Sequence, residues 1–433
     1  MNYNNHPKMK HIYVGIDCHK QTHTAAVINC FNETLDTITF TNDINDFEKL
    51  IELVKKYETD GLTAIYGLED TKHLGHSLAT FLINKKCDVR HILSSLTYNE
   101  RKKHPIISKT DEIDAECIAK VLLDNLDKLE KANNDTLYWT LKQIVKMRST
   151  IVNNNTKVKN KLHAQLMHHY PNYKLFFSNS DCNTALNLWE HYPSPDLLQK
   201  VSLEELTEFV KLHSNGTLGE NKAQSIFDIV NNTIYEKLEY QEERNILITT
   251  LVGQIKNNNK QLEEIEKNII DLYDKLGLKL HTIKGLSKMS SAEIVAEIGN
   301  INRFSSKDRL ARYAGIAPVS FSSGNHDKEK RNEYGNRTLN NYIYYLAIRS
   351  VSTGKNKDTP TNAIFLDYYK RKISEGKNNK QALTCVMRRL INIIYRMLKD
   401  NSEFYVPTEL EKKCKSKWLE KLEQLKQENE KNH

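Results

Sequence analysis

HIYVGID, residues 11–17, is the stretch on which the reading of the fold turns. It is a short, nearly unbroken apolar run that stops on an acidic residue. Two further β-rich runs follow, TAAVIN at 24–29 and TLDTITF at 34–40, separated by turn-like polar residues such as Asn32 and Glu33. Working outward, an amphipathic stretch from Asn45 to Tyr57 leads to a second apolar run, TAIYGLE at 63–69. A helical stretch from Leu74 to Lys85 and the short run DVRHIL at 88–93 come next. Strands that begin as a meander and then alternate with helices predict an α/β sheet with parallel members.

Three β runs followed by β-α-β is the order expected of an RNase H-like fold. Beyond it the period changes. From Asp135 to Tyr170, apolar residues recur at Leu137, Leu141, Ile144, Ile151, Val158 and Leu162, close to a heptad spacing, with Arg148 and Asn155 in intermediate slots. A second seam runs through Leu251, Ile255, Leu262, Ile265, Ile269, Leu272 and Leu276, with polar Asn258 where another apolar residue would fall. Both predict long helices, read equally as an antiparallel coiled-coil arm or dimerisation element and as helices packed on their own domain. The stretch between them, 171–240, is less regular. After Gly277 a helix, a Gly-containing turn and a helix are expected. From Phe304 to Arg349 short helices alternate with a polar segment, and the tail after Pro407 reads as a charged helix. The expected division is 1–132 for the sheet-bearing domain, 133–276 for the helical region, 277–405 for a mostly α domain and 406–433 for the tail.

A chain of 433 residues exceeds the ~100–200 of one ordinary domain, so several cores are expected. The charged fraction is 27% and the net charge +8, which suits a polyanionic partner without requiring one. The seven cysteines are odd in number and form no Cys-x-x-Cys pair, which argues against a zinc ribbon or a secreted disulfide framework. The N-terminus has no apolar leader segment, and no run of ~18 apolar residues could span a bilayer. A cytoplasmic protein without membrane attachment is expected.

Acidic residues stand where chemistry would need them. Asp17 ends the first run and Glu69 ends TAIYGLE, and side chains at the C-terminal ends of neighbouring strands converge on one sheet edge. Asp111 and Asp114 lie in KTDEIDAECIA at 109–119, where a three-residue step sets both on one helix face. Four converging carboxylates repel unless a cation neutralises them, and hard oxygen donors select Mg²⁺ or Mn²⁺ for phosphoryl transfer. Singly, each is also an ordinary cap or turn residue. Asp43, Asp46, Asp60 and Asp70 compete for the roles. His19 and His23 could support the acids or contact phosphate, but read more readily as exposed helpers or plain surface residues.

Farther along, YAGIAPVSFSSGNHDKEKRNEYGNRTL, residues 313–339, offers Ser320, Ser322 and Ser323, ahead of Lys328, Lys330, Arg331 and Arg337. A serine on a Gly-adjacent turn can present its hydroxyl to a phosphodiester with cations nearby, although Ser-Ser-Gly is also ordinary loop composition. Lys102, Lys103, His104 and Lys109 form a basic loop before the Asp pair, suited to a nucleic-acid backbone or simply solvated. Gly285 lies between helical stretches where backbone amides at a helix start could meet a phosphate.

With these residues in view, the chain resembles the Asp-Glu-Asp-Asp (DEDD) transposases of the insertion sequence one-ten family, the bridge-RNA-guided recombinases. The resemblance runs through YVGIDCHK with Asp17, YGLEDTKHLGHSLATFL with Glu69, KTDEIDAECIA with Asp111 and Asp114, and the stretch from HTIKGLSKMSSAEIVAEIG to NNYIYYLA. It implies a RuvC-like N-terminal domain, a coiled-coil connection and a C-terminal transposase domain. It implies that a serine, matched to Ser323 with Ser322 as the alternative, attacks DNA to form a phosphoserine intermediate beside a Mg²⁺-binding acidic cluster. A structured bridge RNA pairing with double-stranded target and donor DNA, and a homodimer assembling to a tetramer, are implied too. Lys284-Gly285-Leu286-Ser287 departs from the family's Pro-Gly-x-Gly turn, and Asn325, Asp327, Glu329 and Glu333 dilute the basic segment. A metal-only RuvC-like nuclease or junction resolvase, and a non-catalytic nucleic-acid-binding protein, are the alternatives.

Overall fold

The computed structural model describes residues 6–431 except 60, 70–73, 104–109, 130, 133–135, 236–237, 318, 324–325, 331–334 and 354–358. The apolar runs become strands: β1 (His11–Cys18), β2 (Thr22–Ile28) and β3 (Thr34–Thr41) form the meander. The helix α1 (Ile44–Lys55), β4 (Thr63–Glu69), α2 (His76–Asn84), β5 (Asp88–His91), α3 (Ser94–Arg101) and α4 (Asp111–Asn125) complete the region. The strand order is β3-β2-β1-β4-β5, antiparallel among the first three and parallel from β1 to β4 and β5.

The central position of β1 explains its unbroken apolar run, because both of its faces are covered. Val14 and Ile16 join Phe47, Leu50 and Leu78 in a core on one face, while Tyr13 joins Ile65, Ile118 and Leu122 on the other. Edge strand β3 buries only Phe40 fully and alternates, as a strand with one wet face should. His23 departs from its reading as an exposed helper or surface residue. It lies on β2, sandwiched between β1 and β3, and is fully buried with its ring 5.5 Å from that of Phe40.

The remainder is mostly helical. The first long seam is α5 (Thr136–His169). The less regular stretch that follows holds α6 (Asn183–His191), α7 (Pro195–Leu198), α8 (Leu203–His213) and α9 (Glu220–Asn232), and the second seam is α10 (Gln241–Lys275). α6 to α9 are too short to display a repeat, and what organises them is an aromatic core of Tyr170, Phe176 and Trp189. α5 and α10 run antiparallel. The polar residues that interrupted their seams find partners across the helix pair: Arg148 donates to Glu266, Asn155 donates to Asn259 at 2.8 Å, and Asn258 donates to Asn155 at 3.4 Å. Pairing the polar slots removes the cost of burying unmatched amides and fixes the register of the two helices.

After them come α11 (Lys288–Ile298), α12 (Lys307–Tyr313), a ribbon of β6 (Val319–Ser323) and β7 (His326–Lys330), α13 (Arg337–Val351), α14 (Ala363–Ser374), α15 (Asn379–Asp400) and α16 (Thr408–Lys431). α15 carries Leu383, Val386, Leu390, Ile394 and Met397 inward at helical spacing, behind an Asn378–Gln381 capping box. The polar segment within 304–349 is in part this antiparallel ribbon, which has little apolar alternation to announce it. The chain divides into two compact units, Met1–Trp139 with Ile298–His433 and, separately, Thr140–Glu297. Among the described residues no helix is long and apolar enough to cross a membrane.

Candidate active site

Parallel pairing of β1 with β4 sets Asp17 directly beside Glu69. Strand alternation then puts Tyr13, Gly15 and Asp17 on the same face as Ile65, Gly67 and Glu69, the face that α4 covers. Gly15 makes that cover close. A Cβ there would lie 2.2 Å from the Ala119 nitrogen and 2.3 Å from the Ala115 oxygen, so the helix backbone rests on bare strand backbone. Ile118 and Leu122 bury their side chains in the same contact, a gain of about 1.5–3 kcal/mol each.

The same packing delivers the other two carboxylates. Thr110 caps α4, its hydroxyl accepting from the Ile113 N–H, and Asp111 and Asp114 fall in the first turn, where the helix dipole favours negative charge. Asp114 is 9% exposed, and the Arg101 guanidinium at the end of α3 donates to its Oδ1. Asp111 is exposed. His19 sits between two of the acids, with Nε2 3.4 Å from Asp17 Oδ2 and Nδ1 3.5 Å from Asp111 Oδ2. One ligating atom from each of Asp17, His19 and Asp111 lies within 4.8 Å of the others.

The Asp17 carboxyl is pushed up to about 6. Burial is the main cause, and Asp114, Asp111 and Glu69 add to it while His19 opposes. Asp17 therefore feels all three of the other acids. Asp17, Glu69 and Asp114 line a cleft of about 280 Å³ that Tyr98, Thr97 and Ser94 of α3 close from one side, with Asp111 linked to it through His19. The described competitors have other work: Asp43 caps α1 through the Asn45 N–H, and Asp46 accepts from both the N–H and the hydroxyl of Thr41. Asp60 and Asp70 lie outside the described residues.

Among the basic candidates, Lys102 lies over the Tyr98 ring at 4.4 Å and Lys103 pairs with Glu100. Lys109 and Arg331 lie outside the described residues. Lys328 and Lys330 are on β7, and exposed Arg337 opens α13. In the ribbon Ser323 is opposite His326, Ser322 opposite Asp327 and Ser320 opposite Glu329. Its base is pinned. A Cβ on Gly335 would lie 2.3 Å from the Gly315 Cα, and the Asn336 N–H donates to the Tyr313 carbonyl. Arg101 escaped the sequence reading. Its signal was a cation at the head of the RKKH loop, thirteen positions before Asp114, a separation from which only a fold shows contact.

Two family models match the chain in succession, one described as Transposase over residues 14–171 and one described as Transposase IS116/IS110/IS902 family over 278–362. The chain is 22% identical to an insertion element IS116 protein of Streptomyces clavuligerus, over 91% of this chain and 96% of that protein. It is 23% identical to an insertion element IS900 protein of Mycobacterium paratuberculosis, over 92% and 98%. It is also 31% identical to a pilin gene-inverting protein of Moraxella bovis, over 29% of this chain and 37% of that protein. The first model spans Asp17, Glu69, Asp111 and Asp114, and the second spans the β6–β7 ribbon.

Proposed function

The chain belongs to the IS116/IS110/IS902 transposase family of DNA-recombination enzymes, and from that premise we propose that it cuts and rejoins double-stranded donor and target DNA through a phosphoserine intermediate. The observation that carries this reading is the convergence of Asp17, Glu69, Asp111 and Asp114 by strand register and by the close seating of α4. Similarity to a pilin gene-inverting protein is in keeping with a chemistry that breaks and rejoins DNA.

The four acids fit a divalent cation, Mg²⁺ or Mn²⁺. Asp17 is held partly out of water among three other carboxylates, a state that a cation would relieve. When bound, such an ion supplies Lewis-acid stabilisation of charge on phosphate oxygens. The chain's own residues supply the rest: Arg101 holds the Asp114 carboxylate in place, and His19 spaces Asp17 from Asp111. Strand order β3-β2-β1-β4-β5 supports an RNase H-like, RuvC-like reading of the sheet. The functional division that goes with it is a RuvC-like domain over 1–132, a coiled-coil connection over 133–276, a serine-bearing domain over 277–405 and a charged tail over 406–433.

In the C-terminal domain the nucleophile is Ser323, whose oxygen forms a bond to phosphorus as the bond from phosphorus to the leaving deoxyribose oxygen breaks. Register favours it over Ser322, because an anionic phosphodiester is better tolerated opposite His326 than opposite Asp327. Lys328, Lys330, Arg331 and Arg337, which follow it in sequence, and Lys102, Lys103 and Lys109, which precede the Asp111–Asp114 pair in sequence, are the proposed contacts to the nucleic-acid backbone. By family resemblance a structured bridge RNA selects the DNA sites, and a homodimer assembles to a tetramer.

A denaturing gel with the full chain, divalent cation, the non-coding RNA transcribed beside its gene and matching DNA tests this. Protein covalently attached to DNA is expected, lost in Ser323→Ala and retained in Ser322→Ala. Cleavage without attachment would replace the reading with a metal-only nuclease, and binding alone would replace it with a non-catalytic protein.

A further inference from the structure

The two long helices of the second unit differ in charge far more than in shape. α10 carries seven acidic and five basic residues, whereas α5 carries six Lys and Arg and no Asp or Glu in 34 residues. The six cations of α5 divide by position. Lys142 pairs with Glu297, Arg148 with Glu266 and Glu293, and Lys159 with Asp181, and all three are half-buried. Lys146, Lys157 and Lys161 are exposed, and steps of three and four residues align them with exposed Asn153, Asn154 and Asn160. No carboxylate pairs with Lys157 or Lys161 among the described residues. The result is one straight face, about 22 Å long from Lys146 to Lys161, that offers ammonium and amide donors without a single negative charge.

We infer that this face of α5 docks the phosphate backbone of duplex DNA. The inference rests on the reading that the chain acts on double-stranded DNA, and it goes further by naming a surface that is neither the acidic cleft nor the serine ribbon. Charge complementarity is its basis. A duplex presents phosphates every ~3.4 Å along each strand, so a rigid stripe of this length faces about six base pairs without bending them. Lysine ammonium groups neutralise phosphates and release counterions, while asparagine N–H groups donate to the same oxygens and fix orientation. The cations turned inward on α5, Lys142, Arg148 and Lys159, are already paired, whereas no carboxylate holds Lys157 or Lys161 among the described residues.

The test is fluorescence anisotropy of a labelled duplex of about 40 base pairs of arbitrary sequence, titrated with the full chain across a range of salt. Lys157→Gln with Lys161→Gln is expected to weaken binding at ~0.1 M salt by about tenfold or more. The slope of log K against log salt should become shallower by about 2. The melting temperature should not move, because both side chains are exposed. Asn154→Asp with Asn160→Asp, which leaves the lysines in place and adds carboxylates to the same face, should weaken binding at least as much. Lys267→Gln on α10 should bind like the parent chain. Unchanged affinity and slope in both double variants would overturn the inference. So would a loss confined to a structured RNA of the same length. If those variants bind normally while the parent chain recombines DNA, the docking surface falls and the transposase reading stands. A parent chain that binds no duplex overturns both.

Discussion

The acidic edge and the serine ribbon are built on the same device, a glycine at which backbone touches backbone, yet they differ in what surrounds it. Gly15 lies on the central strand of a five-stranded sheet, and the helix it admits is held by Ile118 and Leu122 in a continuous core. Gly335 lies at the foot of two five-residue strands, against Gly315, with the Asn336–Tyr313 hydrogen bond beside it. One site is therefore rigid because a domain is folded around it. The other is positioned at its base, from which β6 and β7 extend as one antiparallel ladder. A site of the first kind can hold several charges at fixed separations, whereas a site of the second kind suits a single nucleophile that has to reach its substrate.

The largest expected effect breaks that comparison at its root. Gly15→Ala forces the strand off α4 and should cost about 3 kcal/mol or more in a denaturant titration, with loss of all DNA cleavage. Gly335→Ala should abolish covalent attachment while leaving the denaturation midpoint close to that of the parent. Equal destabilisation by the two would mean that the ribbon is as deeply integrated as the sheet.

Next in size, Asp114→Asn is expected to slow strand cleavage by about 10²-fold or more, read as a single-turnover rate with Mg²⁺. Full activity in that variant would remove Asp114 from the site and leave Arg101 pairing with a merely structural acid.

The smallest effect concerns pH. Asp17 titrates at about 6 in the folded chain against 3.8 ordinarily, so the folded state takes up a proton more readily than the unfolded one. The cation-free chain should then gain stability as pH falls from above 6 towards 4, and lose it again as pH rises. Asp17→Asn should flatten that profile and stabilise the chain at pH ~8 by about 2 kcal/mol. Added Mg²⁺ should stabilise the parent chain at the same pH, as measured by thermal melts. A parent profile already flat between these limits would show that the acids do not crowd Asp17.

How much of this was legible depends on periodicity. TAIYGLE at 63–69 coincides with β4, and the end of HIYVGID places Asp17 within one residue of the end of β1, because central strands write themselves as apolar runs. The Asp111–Asp114 step was readable as a helix start. That α4 would lie over Gly15 was not, since one glycine in an apolar run does not say what approaches it. Interruptions in the two seams at Arg148, Asn155 and Asn258 looked like flaws, and their meaning lay in partners across about a hundred residues: Asn258 donates to Asn155, and Arg148 pairs with Glu266. The β6–β7 ribbon left little trace, because its apolar alternation is limited to Val319 and Phe321 on β6 and β7 has none. His23 misled in the opposite direction, a polar residue on a strand that is buried from His23 to Ile28.

One feature of the fold bears on how the molecule is made. The unit that holds the sheet is assembled from both flanks of the chain, Met1–Trp139 and Ile298–His433, and the helical unit Thr140–Glu297 is synthesised in the interval. At ~5–20 residues per second the early flank waits about 10–30 s for the late one to begin leaving the ribosome. The helical unit, in which Arg148 pairs with Glu266 and Glu293 and Asn155 with Asn259, can begin to fold during that delay. A chain cut short by a premature stop would carry its acidic edge without its serine ribbon. On the proposed reading, in which the ribbon supplies the nucleophile, translation itself would then act as a safeguard against a truncated product that breaks DNA.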